Sequence, residues 1–97
     1  MAGYWVVRSS EITDQEAFDE YARLWGPVAE KFGARYIAGR GTRHETREGP
    51  DLPRMLVVEF PSYEQAMACY DDPDYQTSLP FARKAYADRH LIVVESS

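Results

Sequence analysis

Trp5-Val6-Val7, Met55-Leu56-Val57-Val58 and Leu91-Ile92-Val93-Val94 are apolar without interruption. Successive side chains of a strand point to opposite faces of its sheet. A strand with one face in water therefore alternates apolar and polar residues, and these runs do not. Rich in β-branched and aromatic residues, they read as strands that need cover on both sides. A chain of 97 residues makes one domain with an adequate but thin core, so that cover is hard to supply from within. The expectation is a single domain over residues 1–97.

The segments between these runs supply helices. Tyr4 to Ser9 forms the first strand. Thr13 and Glu16 make a capping box, with Asp14 adding negative charge to the first turn. Phe18, Tyr21, Trp25, Val28 and Phe32 follow at helical spacing and predict a helix over about 14–32. Pro27 predicts a kink in it, and Gly33 a left-handed stop. A second strand starts at Ala34 and includes Tyr36 and Ile37, with a bulge expected near Gly39 and Gly41. Residues 42–54 are polar and read as a projecting hairpin arm. Met55–Phe60 is the strongest strand, ended by Pro61. Ser62 then caps a helix striped by Tyr63, Ala66, Met67 and Tyr70. Asp72-Pro73-Asp74 breaks that helix, a short turn runs through Tyr75, and Leu79–Ala87 is helical again. His90–Glu95 is the last strand.

The order βαββαβ is the split βαβ, ferredoxin-like arrangement of the α+β class, with a four-stranded antiparallel sheet and helices on one face. Two helices leave the second face bare. One parity of each apolar run would then expose several hundred Å², a large patch for a monomer. The simplest cover is a second copy packed sheet to sheet by two-fold symmetry, giving a homodimer. The rival reading is that some of these residues line a ligand cavity.

Charge narrows the partners. Eleven Lys and Arg against sixteen Asp and Glu leave a net charge of −5, which argues against nucleic acid as a partner. No stretch approaches the roughly 20 apolar residues that span a bilayer, so no membrane partner is expected. The only cysteine is Cys69, and no leader-like segment precedes the first strand. A cytoplasmic setting with reduced thiols is the expectation, with Cys69 as a packing residue.

Several segments together resemble one family. They are Gly3-Tyr4-Trp5, the Tyr-rich first helix ending in Phe32-Gly33, Val58-Glu59-Phe60-Pro61-Ser62-Tyr63-Glu64, and Cys69-Tyr70-Asp71-Asp72-Pro73-Asp74-Tyr75-Gln76. The family is a small bacterial one of unknown function in the dimeric α/β-barrel superfamily. The resemblance spans nearly the whole chain and is most specific from Glu59 to Gln76. It implies a ferredoxin-like subunit whose sheet pairs with a partner's to close a dimeric barrel. It also implies cousins among cofactor-independent monooxygenases, polyketide-modifying enzymes and small-molecule degradation enzymes. It transfers no catalytic residue.

Candidate chemistry rests on a few side chains. Glu59 is the one acidic residue in the apolar Met55–Phe60 strand, which makes it the candidate general base. A strand-end carboxylate paired with a nearby Arg is the competing explanation. Tyr21, Trp25 and Tyr70 are candidate walls of a cleft between helices and sheet that takes a flat, mostly apolar molecule, with core packing as the alternative. His44 and His90 stand apart without a matching carboxylate pattern. Asp71, Asp72 and Asp74 lack the length and closing Glu of a calcium loop, and no zinc ligand set is present, so no metal is expected. Arg35, Arg40, Arg43, Arg47 and Arg54 suit either an anionic substrate or a salt-bridged surface. Gly39-Arg40-Gly41 lacks the helix that a phosphate loop requires. The reading is a cofactor-independent enzyme acting on a small aromatic or unsaturated carbonyl compound. The alternative is a non-catalytic dimeric small-ligand-binding or regulatory module.

Overall fold

The computed structural model describes residues 1–97. Four strands and three helices follow in the order β1 (Gly3–Ser9), α1 (Gln15–Lys31), β2 (Arg35–Ala38), β3 (Arg54–Phe60), α2 (Tyr63–Asp71), α3 (Pro73–Ala85) and β4 (Arg89–Glu95). All pairings are antiparallel, and the spatial order is β2-β3-β1-β4. This is the ferredoxin-like α+β arrangement, with its second helical element split at Asp72.

Along β1, buried and half-buried residues alternate from Gly3 to Ser9, so Trp5, Val7 and Ser9 point under the helices. Strand register then assigns the neighbours. Val58, Trp5 and Val93 form one row across the helix-covered face, and Leu56, Val7 and Leu91 the next. Trp5 is the centre of the core: its ring stacks on Trp25 at 5.2 Å and meets Tyr75 edge-on at 5.1 Å. Its indole Nε1 donates to the Ala66 carbonyl at 3.0 Å, so the largest buried ring leaves no donor unpaired.

The other face carries the opposite parity. Val57, Val6 and Ile92 lie side by side there, flanked by the rows Glu59–Tyr4–Val94 and Met55–Arg8–His90. Ile92 is 60% exposed and Val94 41%.

Several local expectations change. Asp14, not Thr13, caps α1: its carboxylate accepts from the Ala17 amide at 3.0 Å, while the Thr13 hydroxyl donates to the Ala85 carbonyl. Helix α1 runs through Pro27 unbroken, because Pro27 lies on the exposed side, where the Arg23 carbonyl it deprives of a partner can bond to water. The helix ends in a Schellman arrangement: the Ala34 amide donates to Ala29, the Gly33 amide donates to Glu30, and Gly33 sits at φ 67°. Residues 73–85 form one helix, not a turn followed by a shorter helix. Pro73 occupies its first turn, Asp72 caps it, and Pro80 falls on its exposed side. The helix stops at Ala85, short of Ala87, as Tyr86 is extended and bridges Ile12. The expected hairpin arm is a loop over residues 39–53 with no strand pairing of its own. Its polar sequence offers no apolar face to pair. Burial of Leu52 and two bonds from Arg8 to Thr46 and Pro50 hold it down. Gly39 opens the loop at φ 105°, and a Cβ there would collide with the backbone of Met55 and Leu56. The expected irregularity in β2 is a register shift between Tyr36 and Ala38.

Candidate functional site

A cavity of about 770 Å³ lies between α1 and the helix-covered face of the sheet. Phe18, Tyr21 and Trp25 of α1 form one wall. Their spacing of three and four residues keeps them on one helix face. Trp5, Val7, Leu56 and Val58 form the floor. Tyr36 and the start of the 39–53 loop, including Arg40 and His44, close one side, and Tyr86 with Arg89 closes the other.

Each polar group on the aromatic wall is held by another. The Tyr21 and Tyr75 hydroxyls share a hydrogen bond at 3.0 Å. Arg89 Nη2 donates to the Tyr21 oxygen at 3.1 Å and to Tyr75 at 3.5 Å. The Arg89 guanidinium also lies 5.3 Å from the Tyr21 ring centre and 6.0 Å from that of Tyr86. Burial pushes the Tyr21 phenol well above its ordinary value, against the opposing pull of Arg89, so Tyr21 stays neutral and able to donate. Trp25 Nε1 donates to the Tyr36 hydroxyl at 2.6 Å, and Arg40 lies 4.4 Å over the Tyr36 ring.

Of the residues singled out from sequence, Tyr21 and Trp25 line this cavity together. Tyr70 does not. It packs edge-on to Trp5 at 6.0 Å and against Tyr75 at 5.3 Å, behind the cavity floor. Glu59 lies on the opposite face of the sheet. Its carboxylate accepts from Arg35 at 2.6 Å and from the Tyr4 hydroxyl at 3.3 Å, the paired strand-end arrangement. His44 lines the cavity at its exposed mouth. His90 sits on the bare face, 2.9 Å from Asp88. Asp72 caps α3 and pairs with Lys31 at 2.8 Å, whereas Asp71 and Asp74 are exposed. No group of three His, Cys, Asp or Glu side chains is placed to hold a metal ion. Cys69 is buried, and burial pushes its thiol up to about 12, which leaves it a packing residue. Sequence reasoning missed Arg89 and Tyr86. Neither lies on a periodic stripe, and only folding brings them beside Tyr21.

A family model described as a domain of unknown function, DUF1330, matches residues 2–97. The chain belongs to this family. DUF1330 membership agrees with the resemblance carried by the Glu59–Gln76 segment. No curated protein matches the chain. Among solved structures, a protein of unknown function from Rhodopseudomonas palustris is similar at a TM-score of 0.75 and 20% identity, over 99% of this chain and 82% of that one. A dimeric ferredoxin-like protein of unknown function from Jannaschia sp. CCS1 is similar at a TM-score of 0.65 and 13% identity, over 99% and 100%. One from Bacteroides fragilis, also described as dimeric and ferredoxin-like, is similar at 0.62 and 12%, over 98% and 96%. Identities this low establish the fold alone. No helix of this DUF1330 chain is long and apolar enough to cross a membrane.

Proposed function

We propose that this DUF1330 chain binds a small, flat, unsaturated or aromatic carbonyl compound in the helix–sheet cavity, as a homodimer joined through its bare sheet face. The observation that carries the reading is the cavity itself: about 770 Å³, open to solvent and walled by Phe18, Tyr21, Trp25 and Tyr36. Aromatic walls with a few fixed polar groups are the usual make-up of a small-molecule site, and flat rings stack well on them. The dimer is supported by the row Val57–Val6–Ile92 on the bare face and by the dimeric descriptions of the Jannaschia and Bacteroides neighbours. In this arrangement Glu59, Arg35 and Tyr4 form a polar margin of the subunit contact rather than a catalytic centre. Tyr70 supports the floor by holding Trp5.

The enzyme reading has one observation in its favour. His44 brings an imidazole, the usual acid–base group near neutral pH, to the exposed mouth of the cavity that Tyr21 also lines. Turnover there would move a proton on the chain's own side chains, without a cofactor.

Tryptophan fluorescence tests the site, since Trp5 and Trp25 both line it. A panel of aromatic and unsaturated carbonyl compounds is expected to include members that quench saturably. Ala22→Trp, which fills the cavity from an exposed position on α1, is expected to weaken that quenching by about tenfold or more. No saturable member, or full binding by the filled variant, overturns the reading. If the protein turns the ligand over, His44→Ala will abolish the chemical change and leave binding intact.

A further inference from the structure

At one end of the cavity floor, Arg54, Ser9 and Arg89 are direct neighbours in the register of β3, β1 and β4. Ser9 is buried on the helix-covered face, so both arginines point to that face on either side of it. All three residues line the cavity. The two backbones are separated by two strand spacings, about 10 Å. That leaves room for one small anionic group between two guanidiniums above a small serine.

The charges at this spot are not neutralised by the protein. The chain carries five more acidic than basic side chains, yet none of its six ion pairs includes Arg54 or Arg89. Aromatic rings hold both instead: Arg54 lies 5.7 Å from the Phe18 ring centre, and Arg89 rests on Tyr21 and Tyr86. Arg89 spends only its Nη2 on the two tyrosine hydroxyls. The other charged or titratable groups lining the cavity are Glu11, Arg40, His44 and the phenols of Tyr21, Tyr36 and Tyr86, and Glu11 forms no ion pair with either arginine. Two like charges fixed on one face beside an opening are repulsive until an anion joins them.

Resting on the binding reading above, we infer that the ligand of this cavity is a carboxylic acid, its carboxylate clamped between Arg54 and Arg89 and its flat body laid along Tyr21 and Trp25. Charge-assisted hydrogen bonds from two arginines suit the two oxygens of a carboxylate. The Tyr21 and Tyr75 hydroxyls keep Arg89 aimed while leaving its other nitrogens for the ligand.

The test uses matched probes that differ only in charge: cinnamate with cinnamamide, and 2-naphthoate with 2-naphthamide, titrated by tryptophan fluorescence. The acids are expected to bind about tenfold or more tighter than the amides, with the gap shrinking as salt is raised. Arg54→Gln and Arg89→Gln are each expected to weaken acid binding far more than amide binding and so to close most of the gap. Arg89 also braces two tyrosines, so Arg89→Lys serves as the folded control that keeps the charge and part of the gap. Equal affinity for acid and amide, or a gap that survives both glutamine variants, overturns the carboxylate clamp while the cavity reading stands. Failure of every probe to bind overturns both.

Discussion

The Asp72 carboxylate is divided between two tasks. One oxygen accepts the Asp74 amide at 2.9 Å and caps α3, and the other takes the Lys31 ammonium at 2.8 Å, tying the end of α1 to the start of α3. The bond from Lys31 holds the Asp72 carboxyl below its usual range, against the cost of burial. A lowered carboxyl stabilises the fold fully above the ordinary carboxylate value, about 3.9, and loses that contribution as pH falls through its lower folded value. Asn keeps the capping ability but not the charge. Asp72→Asn should therefore be less stable than the parent at pH 7, and the deficit should shrink at pH 3. Urea unfolding at both pH values measures it. A deficit that stays constant would show that the charge contributes nothing. At the same scale, Tyr21 and Trp25 were legible as neighbours on one cavity wall because helical spacing puts them on one face whatever the tertiary structure. Sequence singles out Arg54 only as one of five arginines suited to an anion or a salt-bridged surface and does not single out Arg89, so the pairing of Arg54 with Arg89 was not legible. They belong to strands far apart in the chain, and only the common neighbour Ser9 joins them. Glu59 drew notice as a charge in an apolar run, but sequence does not say which face of a twice-apolar strand a residue occupies.

Elements were legible where local chemistry acted alone. The strands at 3–9, 54–60 and 89–95 follow from apolar runs ended by polar or turn residues, and the stop at Gly33 from the need for positive φ. Helix α3 was harder, since two prolines within it argue against continuity unless each is known to fall where no donor is needed. The start of α1 shows how close two caps in sequence can compete. Thr13 and Asp14 both have the side chain for it, and the Ala85 carbonyl settles the matter by taking the Thr13 hydroxyl at 3.2 Å. Asp14→Ala is accordingly expected to cost about 1 kcal/mol. Chemical denaturation measures this, and a loss below about 0.3 kcal/mol would show that Asp14 is not the working cap. The 39–53 loop was the least legible element. Its anchors, Leu52 and the bonds from Arg8, depend on a strand distant in sequence.

For the whole molecule, the continuous runs that opened the sequence reading find cover on one side only. Trp5, Val7 and Val58 are enclosed under the helices, while Ile92 and Val94 remain exposed at 60% and 41%, as does Ile37 of β2 at 45%. Light scattering at micromolar concentration is expected to give twice the 11.1 kDa of one chain. A mass of one chain would overturn the sheet-to-sheet dimer. Val57→Asp should shift the protein to monomer, since a carboxylate without a partner in an apolar contact costs about 2–5 kcal/mol. Circular dichroism of that variant should stay native, because Val57 lies outside the helix-covered core.

The alternation along a single strand has a wider meaning. In β1, Trp5, Val7 and Ser9 serve the cavity, while Tyr4, Val6 and Arg8 between them serve the bare face. The strand thus carries two interleaved texts, read from opposite sides of one backbone. A slip of one residue in pairing would exchange them entirely, sending Trp5, Val7 and Ser9 to the bare face and Tyr4, Val6 and Arg8 under the helices. Neither text can be shifted without scrambling the other, so lengthening or shortening this strand by one residue is a far harsher change than replacing any side chain on it.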